Sequence, residues 1–429
     1  MRKRIAEHIA SVSLIAVFAT GCLHSSNPSM GKSNVIEGKE QAVDVSKPTT
    51  VKIMAGNMND QLFNFMIAEP MTKKYPQITV QKLQGKLSEL IVAGETPDLI
   101  TDWNGGVPSY QQYDLLTDMT DLVKKHNLDL GRFQNVYIDA IKRFSEKGEL
   151  YAIPYYAQLN ALYYNKDLFD KFGVPYPKDG MTWEEVIDLG ARMTRMEGDV
   201  QIQGLNYGGV QRLAFPFSPD IVNAKTGKAT VNNDVWKNAL QYALRIDSIP
   251  GNRVNKDFMK GQVAMFPNVG DSLPNIKKAV EEGTISLGIA QYPQFKEAPN
   301  TYGMVDAHYI FLTKTSRNQD AAMKVIEVLT SDEVQMAAAK TYARLSPLKD
   351  PELQKQFATK FLPGVDLQPI FKSKPAAGQI FSKYYPQSRD IVFDEYKQVA
   401  DGKKDINTAL RSAEDRINKL VADDMAVTK

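Results

Sequence analysis

From Thr50 to Thr101 the chain switches repeatedly between two hydrophobic periods, and this restricts its fold more than any other feature. Thr50-Val51-Lys52-Ile53-Met54-Ala55 alternates residue by residue, as a strand does. Leu62 to Tyr75 carries Leu62, Phe63, Phe65, Met66 and Ile67 at helical spacing, and Pro76 ends the run. Ile78 to Leu83 alternates again, Leu87 to Ala93 reads as a short helix, and Pro97 to Thr101 reads as a third strand. Strands separated by helices at this spacing predict an open parallel sheet, which binds ligands at the carboxyl ends of its strands. Those ends are Gly56-Asn57-Met58-Asn59 and Asp102-Trp103-Asn104-Gly105-Gly106.

A chain of 429 residues exceeds the ~250–300 residues at which single cores stop growing, so two domains are expected. With 43% apolar and 24% charged residues it has a globular composition. The formal charge is +2, and Arg2, Lys3, Arg4 and Glu7 already account for it, which leaves the remainder near neutral. Near-neutrality removes bulk electrostatic attraction to nucleic acid or an anionic surface, so no nucleic-acid partner is expected.

The single cysteine, Cys22, ends the segment Val17-Phe18-Ala19-Thr20-Gly21-Cys22. A basic start, an apolar run from Ser11 to Ala19 and small residues before the cysteine make an export signal. The run is well short of the ~20 residues that span a bilayer. The cysteine after small residues resembles a bacterial lipobox, in which it is lipidated and becomes the first residue of the mature chain. Ala19 stands where Leu or Val is usual. The expected order is a signal peptide at 1–21, a polar flexible tether at 22–48, and a body held at the extracellular face of the cell membrane through Cys22. One cysteine permits no disulfide within the chain.

Further along, Gly148-Glu149-Leu150-Tyr151-Ala152-Ile153-Pro154-Tyr155-Tyr156 is followed by Leu162-Tyr163-Tyr164-Asn165-Lys166-Asp167-Leu168-Phe169. Thr182-Trp183-Glu184-Glu185 then has the spacing of a capping box, opening a helix expected to reach about Met196. In this order the segments resemble the extracellular solute-binding proteins of bacterial ABC importers, the sugar-binding family that includes maltodextrin-binding proteins. Ala93-Gly94-Glu95-Thr96-Pro97-Asp98-Leu99, Phe258 to Phe266 and Ser331-Asp332-Glu333-Val334-Gln335 agree with it. The resemblance covers roughly residues 50 to 420. It implies an α/β fold of the periplasmic-binding-protein type, with two hinged lobes around a ligand cleft and discontinuous chain crossings. By the same resemblance the N-terminal lobe holds 49–156 and 306–345, and the C-terminal lobe holds 157–305 and 346–429. The crossings would lie near Tyr156-Ala157-Gln158, Val305-Asp306-Ala307 and Leu345-Ser346-Pro347.

Residue chemistry offers little for catalysis. His126 and His308 are the only histidines of the body and have no partner at ligand spacing, so no metal is expected. No Gly-x-Ser-x-Gly and no phosphate-cradling glycine loop occurs, and no cofactor is expected. Glycoside cleavage needs only two carboxylates, so a surface hydrolase or lyase stays open as an alternative.

A sugar cleft needs aromatic faces for the rings and planar amides and acids for the hydroxyls. Asn57, Asp102, Trp103 and Asn104 lie at strand ends. Tyr155, Gln158 and Asn160 flank the first crossing, with Gln158 and Asn160 on one face of an extended segment. The resemblance adds Tyr207 and Gln211 in a second-lobe loop, Asn268 and Asp271 after a buried strand, Asp306 and His308 at the second crossing, and Arg344 before the third. Structural readings stand beside these: Trp103 and the tyrosines as core, Asn268 and Asp271 as turn or cap residues, His308 as a satisfied core histidine. Arg212 is expected at the surface and Phe215-Pro216-Phe217 in packing.

The resemblance implies a monomeric membrane-anchored receptor, not an enzyme, which binds a short oligosaccharide and docks on ABC permease subunits. With only Trp103, Trp183 and Trp236, stacking must lean on tyrosine, which argues against long maltodextrins. A lipoprotein that signals to a membrane sensor is the alternative of another class. A polyamine ligand stays open through Asp102, Asp271 and Asp306.

Overall fold

The structure, a computed structural model, describes residues 47–427; Cys22, the export signal and nearly all of the expected tether lie outside them. Twelve strands run β1 Thr49–Met54, β2 Ile78–Leu83, β3 Leu99–Trp103, β4 Ala152–Ala157, β5 Asn160–Asn165, β6 Arg195–Glu197, β7 Val200–Leu205, β8 Val263–Val269, β9 Leu287–Gln291, β10 Thr301–Gly303, β11 Ala307–Leu312 and β12 Lys374–Pro375. Two five-stranded sheets form, ordered β2-β1-β3-β11-β4 and β6-β7-β8-β5-β9. Each carries helices, and the result is the two-lobed α/β architecture that the alternating pattern and the resemblance anticipate.

The first three strands pair in parallel, as expected: β1 with β2 and β1 with β3. The sheet as a whole is mixed, because β11 arrives from 200 residues later and pairs antiparallel with both β3 and β4. Its register sets His308 opposite Trp103 on one side and Tyr156 on the other. Every residue of β4 and β5 is buried, as strands covered on both faces must be. Only Gln158 and Leu159 separate β4 from β5, so the chain passes from one sheet to the other in two residues.

Two helices depart from the sequence reading. The helix expected over 62–75 is α-helical at Asp60–Phe63 and Glu69–Lys74 but π-helical at Asn64–Ala68. Pro70 has no N–H and its ring would strike the carbonyl four residues back; the wider turn makes room for it. The helix from Trp183 ends at Met193 rather than about Met196. Gly198, at φ 56°, and Asp199 form a two-residue turn that pairs β6 with β7 and takes Arg195–Glu197 into the sheet. Its start is as expected: the Thr182 N–H donates to Glu185 Oε2 at 2.7 Å, and the Glu185 N–H to Thr182 Oγ1 at 3.3 Å.

Trp183 and Trp236 are fully buried in the second lobe. There the helix from Trp183 lies so close to β7 that a Cβ on Gly204 would stand 1.9 Å from the Gly190 carbonyl oxygen. The C-terminal helices Tyr385–Ala400 and Ile406–Val427 pack on each other and on Asp234–Asp247. No helix among the described residues is long and apolar enough to cross a membrane.

Candidate functional site

A cavity of about 190 Å³ opens between the two sheets, beside the β4-to-β5 crossing. Of the residues singled out from sequence, Trp103, Gln158, Asn160, Gln211, Asp271 and Asp306 line it. β3 delivers Trp103 at its carboxyl end, the crossing supplies Gln158 and Asn160, and the turn after β8 supplies Asp271. Asp306 precedes β11, and its backbone carbonyl accepts from the Gln158 N–H at 2.9 Å, which ties two crossings together.

The polar walls fall into two groups. Asp271 is heavily engaged: it accepts from the Tyr156 hydroxyl at 3.2 Å, from Arg344 Nη1 at 3.4 Å and from the Gln158 amide. The Arg344 guanidinium also lies 4.5 Å from the centre of the Tyr156 ring. Asp306 is different. It makes no side-chain hydrogen bond among the described residues, and burial, with Asp271 nearby, pushes its carboxyl up to about 7 against the pull of Arg212. Gln211 Oε1 and Arg212 Nε are buried without a partner.

Gly208 and Gly209 hold this corner open. Both have positive φ, 71° and 120°, and a Cβ there would approach Arg212 Nε to 2.8 Å and Gln211 Oε1 to 2.5 Å.

Eight of the sequence candidates lie outside the lining. Asn57 joins a buried network: it donates to the Tyr155 hydroxyl at 2.9 Å, accepts from Thr101 Oγ1 at 2.6 Å and lies 2.7 Å from His308 Nδ1. Tyr155 and His308 are thereby drawn into the base of the first lobe. Burial holds the imidazole down at about 4, so it is neutral at pH 7. Asp102 turns from the cavity because alternation along β3 puts it on the face opposite Trp103; it accepts from Tyr110 Oη at 2.6 Å. Asn104 braces the second crossing, donating to the Val305 carbonyl and accepting from the Ala307 N–H. Tyr207 is buried against Asp247 and Tyr396; its hydroxyl donates to Asp247 Oδ2 at 3.3 Å and lies 3.4 Å from the Tyr396 hydroxyl. Asn268 lies within β8, opposite Ala161, rather than in a turn, and its side chain accepts from the Val269 N–H at 2.8 Å. Arg344 reaches the site only through Asp271.

Several lining residues had no local signal in the sequence. Tyr385 and Arg389 stand four apart on one helix face. Tyr302 lines the cavity and donates to the Gln158 carbonyl at 3.1 Å. Arg212 and Phe215, expected at the surface and in packing, line it too, because the short helix Gln211–Ala214 turns inward after the glycine pair. Trp103 packs edge-on to Phe381 at 4.9 Å and lies 6.2 Å from Tyr385. Phe381 is also part of the wall of a wider outer groove of about 560 Å³, which Gln111 and Tyr384 line as well. Among the described residues, no group of three His, Cys, Asp or Glu is placed to hold a metal ion.

The arrangement suits reversible binding of a polar molecule with apolar faces. Aromatic rings and carbonyl-rich strand ends enclose it, and several hydrogen-bonding groups remain for a guest.

The sequence pattern of the bacterial extracellular solute-binding proteins matches residues 68–362. A binding protein of Brucella abortus is 26% identical over 206 residues, 42% of this chain and 47% of the relative, so the chain spans about half the length of that relative. The sn-glycerol-3-phosphate-binding periplasmic protein of Rhizobium meliloti is 23% identical over 314 residues, 67% of this chain and 72% of the relative. Among solved structures, an ABC substrate-binding protein of Listeria monocytogenes in complex with cycloalternan superposes with a TM-score of 0.70 at 21% identity. That superposition covers 88% of this chain and 100% of the other.

Proposed function

The chain belongs to the bacterial extracellular solute-binding proteins, and we propose that it binds a short oligosaccharide between its lobes and delivers it to the permease of an ABC importer. The observation that carries this reading is the cavity, where Trp103, Phe215 and Tyr385 stand among Gln158, Asn160 and Asp306. Flat rings cover the apolar faces of a sugar while amides and carboxyls take its hydroxyls. The cycloalternan complex of the Listeria protein supports a carbohydrate. About 190 Å³ is the room of roughly six liquid waters, which suits one sugar ring.

The mechanism is closure without covalent chemistry, so the protein is a receptor and not an enzyme. The first lobe comprises 49–156 and 306–345 and the second 157–305 and 346–429, hinged at the three crossings. A ligand that touches both lobes favours the closed form only by its extra affinity for that form. The closed form docks on the permease. The body acts as a monomer, held at the extracellular face of the membrane by lipid on Cys22 after removal of residues 1–21, with 22–48 as its tether.

A thermal-shift series on the purified chain with mono- and oligosaccharides, polyamines and peptides tests the ligand class. Ligand at ~100 times its dissociation constant adds ~2.7 kcal/mol, an easily read rise. A rise with sugars alone is expected; a rise with polyamines or peptides alone would overturn the carbohydrate reading. Radiolabelled palmitate incorporation, abolished by Cys22→Ala, is the expected result for the anchor; labelling that survives the substitution would remove it.

A further inference from the structure

Resting on the carbohydrate reading, the geometry points to an acidic sugar as the ligand, with Arg212 and Arg389 placed to pair with a carboxylate or phosphate that it carries. Both arginines line the cavity. Arg212 makes no ion pair and no side-chain hydrogen bond among the described residues, and its Nε is buried without a partner. It is the strongest unmet donor in the site. Arg389, whose side chain is 39% exposed, forms an ion pair with its chain neighbour Asp390, through Nε and Nη2 at 3.2 and 2.9 Å, on its own helix. A half-buried Arg212 with its Nε unpartnered and no counter-charge is costly unless a guest supplies one, and its planar fork matches carboxylate and phosphate oxygens.

The acids in the lining do not meet this demand. Asp271 is taken up by Arg344, Tyr156 and Gln158. Asp306 lies beyond ion-pair distance of Arg212, and burial favours its neutral form, so near pH 7 it carries only part of a charge. In its neutral form it donates a hydrogen bond to an incoming oxyanion rather than repelling it. Arg389 shares its charge with Asp390, so the unmatched positive charge of the lining rests on Arg212, beside a carboxyl that burial tends to neutralise. Gln211 Oε1, also buried without a partner, is left to accept from a sugar hydroxyl beside the anion.

Isothermal titration of the full chain with matched pairs tests this: digalacturonate against digalactose for a carboxylate, glucose 6-phosphate against glucose for a phosphate. The expected result is that one acidic member binds roughly tenfold or more tightly than its neutral counterpart. Arg212→Gln should collapse that ratio and Arg212→Lys should restore part of it. Arg389→Gln, on a long helix, gives a second reading of the ratio should the Arg212 variants fold poorly. Neutral sugars that bind as tightly as their acidic partners would overturn the inference and leave the carbohydrate reading intact. Binding of no sugar in either series would overturn both.

Discussion

Arg344 and Asp271 join the two lobes: Arg344 Nη1 lies 3.4 Å from Asp271 Oδ1, with the guanidinium laid on the Tyr156 ring. Arg344 precedes Leu345, which bridges to Ala157 at the end of β4, whereas Asp271 follows β8 of the other sheet. The Gln158 amide and the Tyr156 hydroxyl converge on the same carboxylate. One acidic side chain thus gathers three donors from the first lobe and the crossing.

Asp271→Ala should therefore loosen the contact between the two sheets. The pair is part-exposed, so its own contribution is modest, about 1 kcal/mol or less. Loss of the buried Gln158 partner adds to it. The expected outcome is a larger radius of gyration by small-angle scattering and ligand affinity weakened several-fold. An unchanged radius and affinity would mean that other contacts hold the lobes.

Trp103→Ala should act on both binding and stability. The indole borders the cavity and packs on Phe381, and such an aromatic pair contributes ~0.5–1.5 kcal/mol beyond buried area. Affinity should fall tenfold or more and the melting temperature by several degrees, while Trp103→Phe keeps most of both. A lower melting temperature with unaltered affinity would make Trp103 purely a packing residue.

How far the sequence disclosed this site follows from how local each signal is. The early strands and the Thr182–Glu185 capping box rest on neighbours within a few residues, and they are found where those neighbours require. Asp102 and Trp103 are adjacent, yet β3 sends them to opposite faces, and only the pairing of β3 with β11 decides which faces the cleft. Tyr385 and Arg389 meet Trp103 and Arg212 from more than 170 residues away. Their helix carries no motif, so nothing short of the fold places them. Asn57, His308 and Tyr155 look like ligand groups by type, but they bond to one another away from the cavity.

Asn252 provides a stability test distant from the cavity. It is 1% exposed, accepts from the Leu205 N–H at 3.1 Å and donates to the Leu205 and Ile246 carbonyls at 2.9 and 3.3 Å. Asn252→Ala strands these buried groups, at roughly 1–3 kcal/mol for each left unpaired. Denaturant unfolding should show a loss of about 3 kcal/mol, with the variant still binding ligand at low temperature. A loss below 1 kcal/mol would show that water replaces the amide.

Asp306 gives the chain a pH dependence whose sign is fixed by burial. Its carboxyl stands at about 7 in the folded protein, against 3.8 as the ordinary value. Between those two values the folded form holds more protons than the unfolded chain, so stability falls as pH rises from 4 to 7 and levels off above. Asp271 and Asp102 push in the same direction, Arg212 in the other. Asp306→Asn removes the ionisable group while keeping its shape. The variant should be more stable than the parent at pH 8, by on the order of a few kcal/mol at most, with a higher melting temperature, and match it near pH 4. Differential scanning calorimetry of both proteins across pH 4–8 makes the comparison. Curves that stay parallel over the whole range would mean that Asp306 ionises as freely in the folded protein as in the unfolded one.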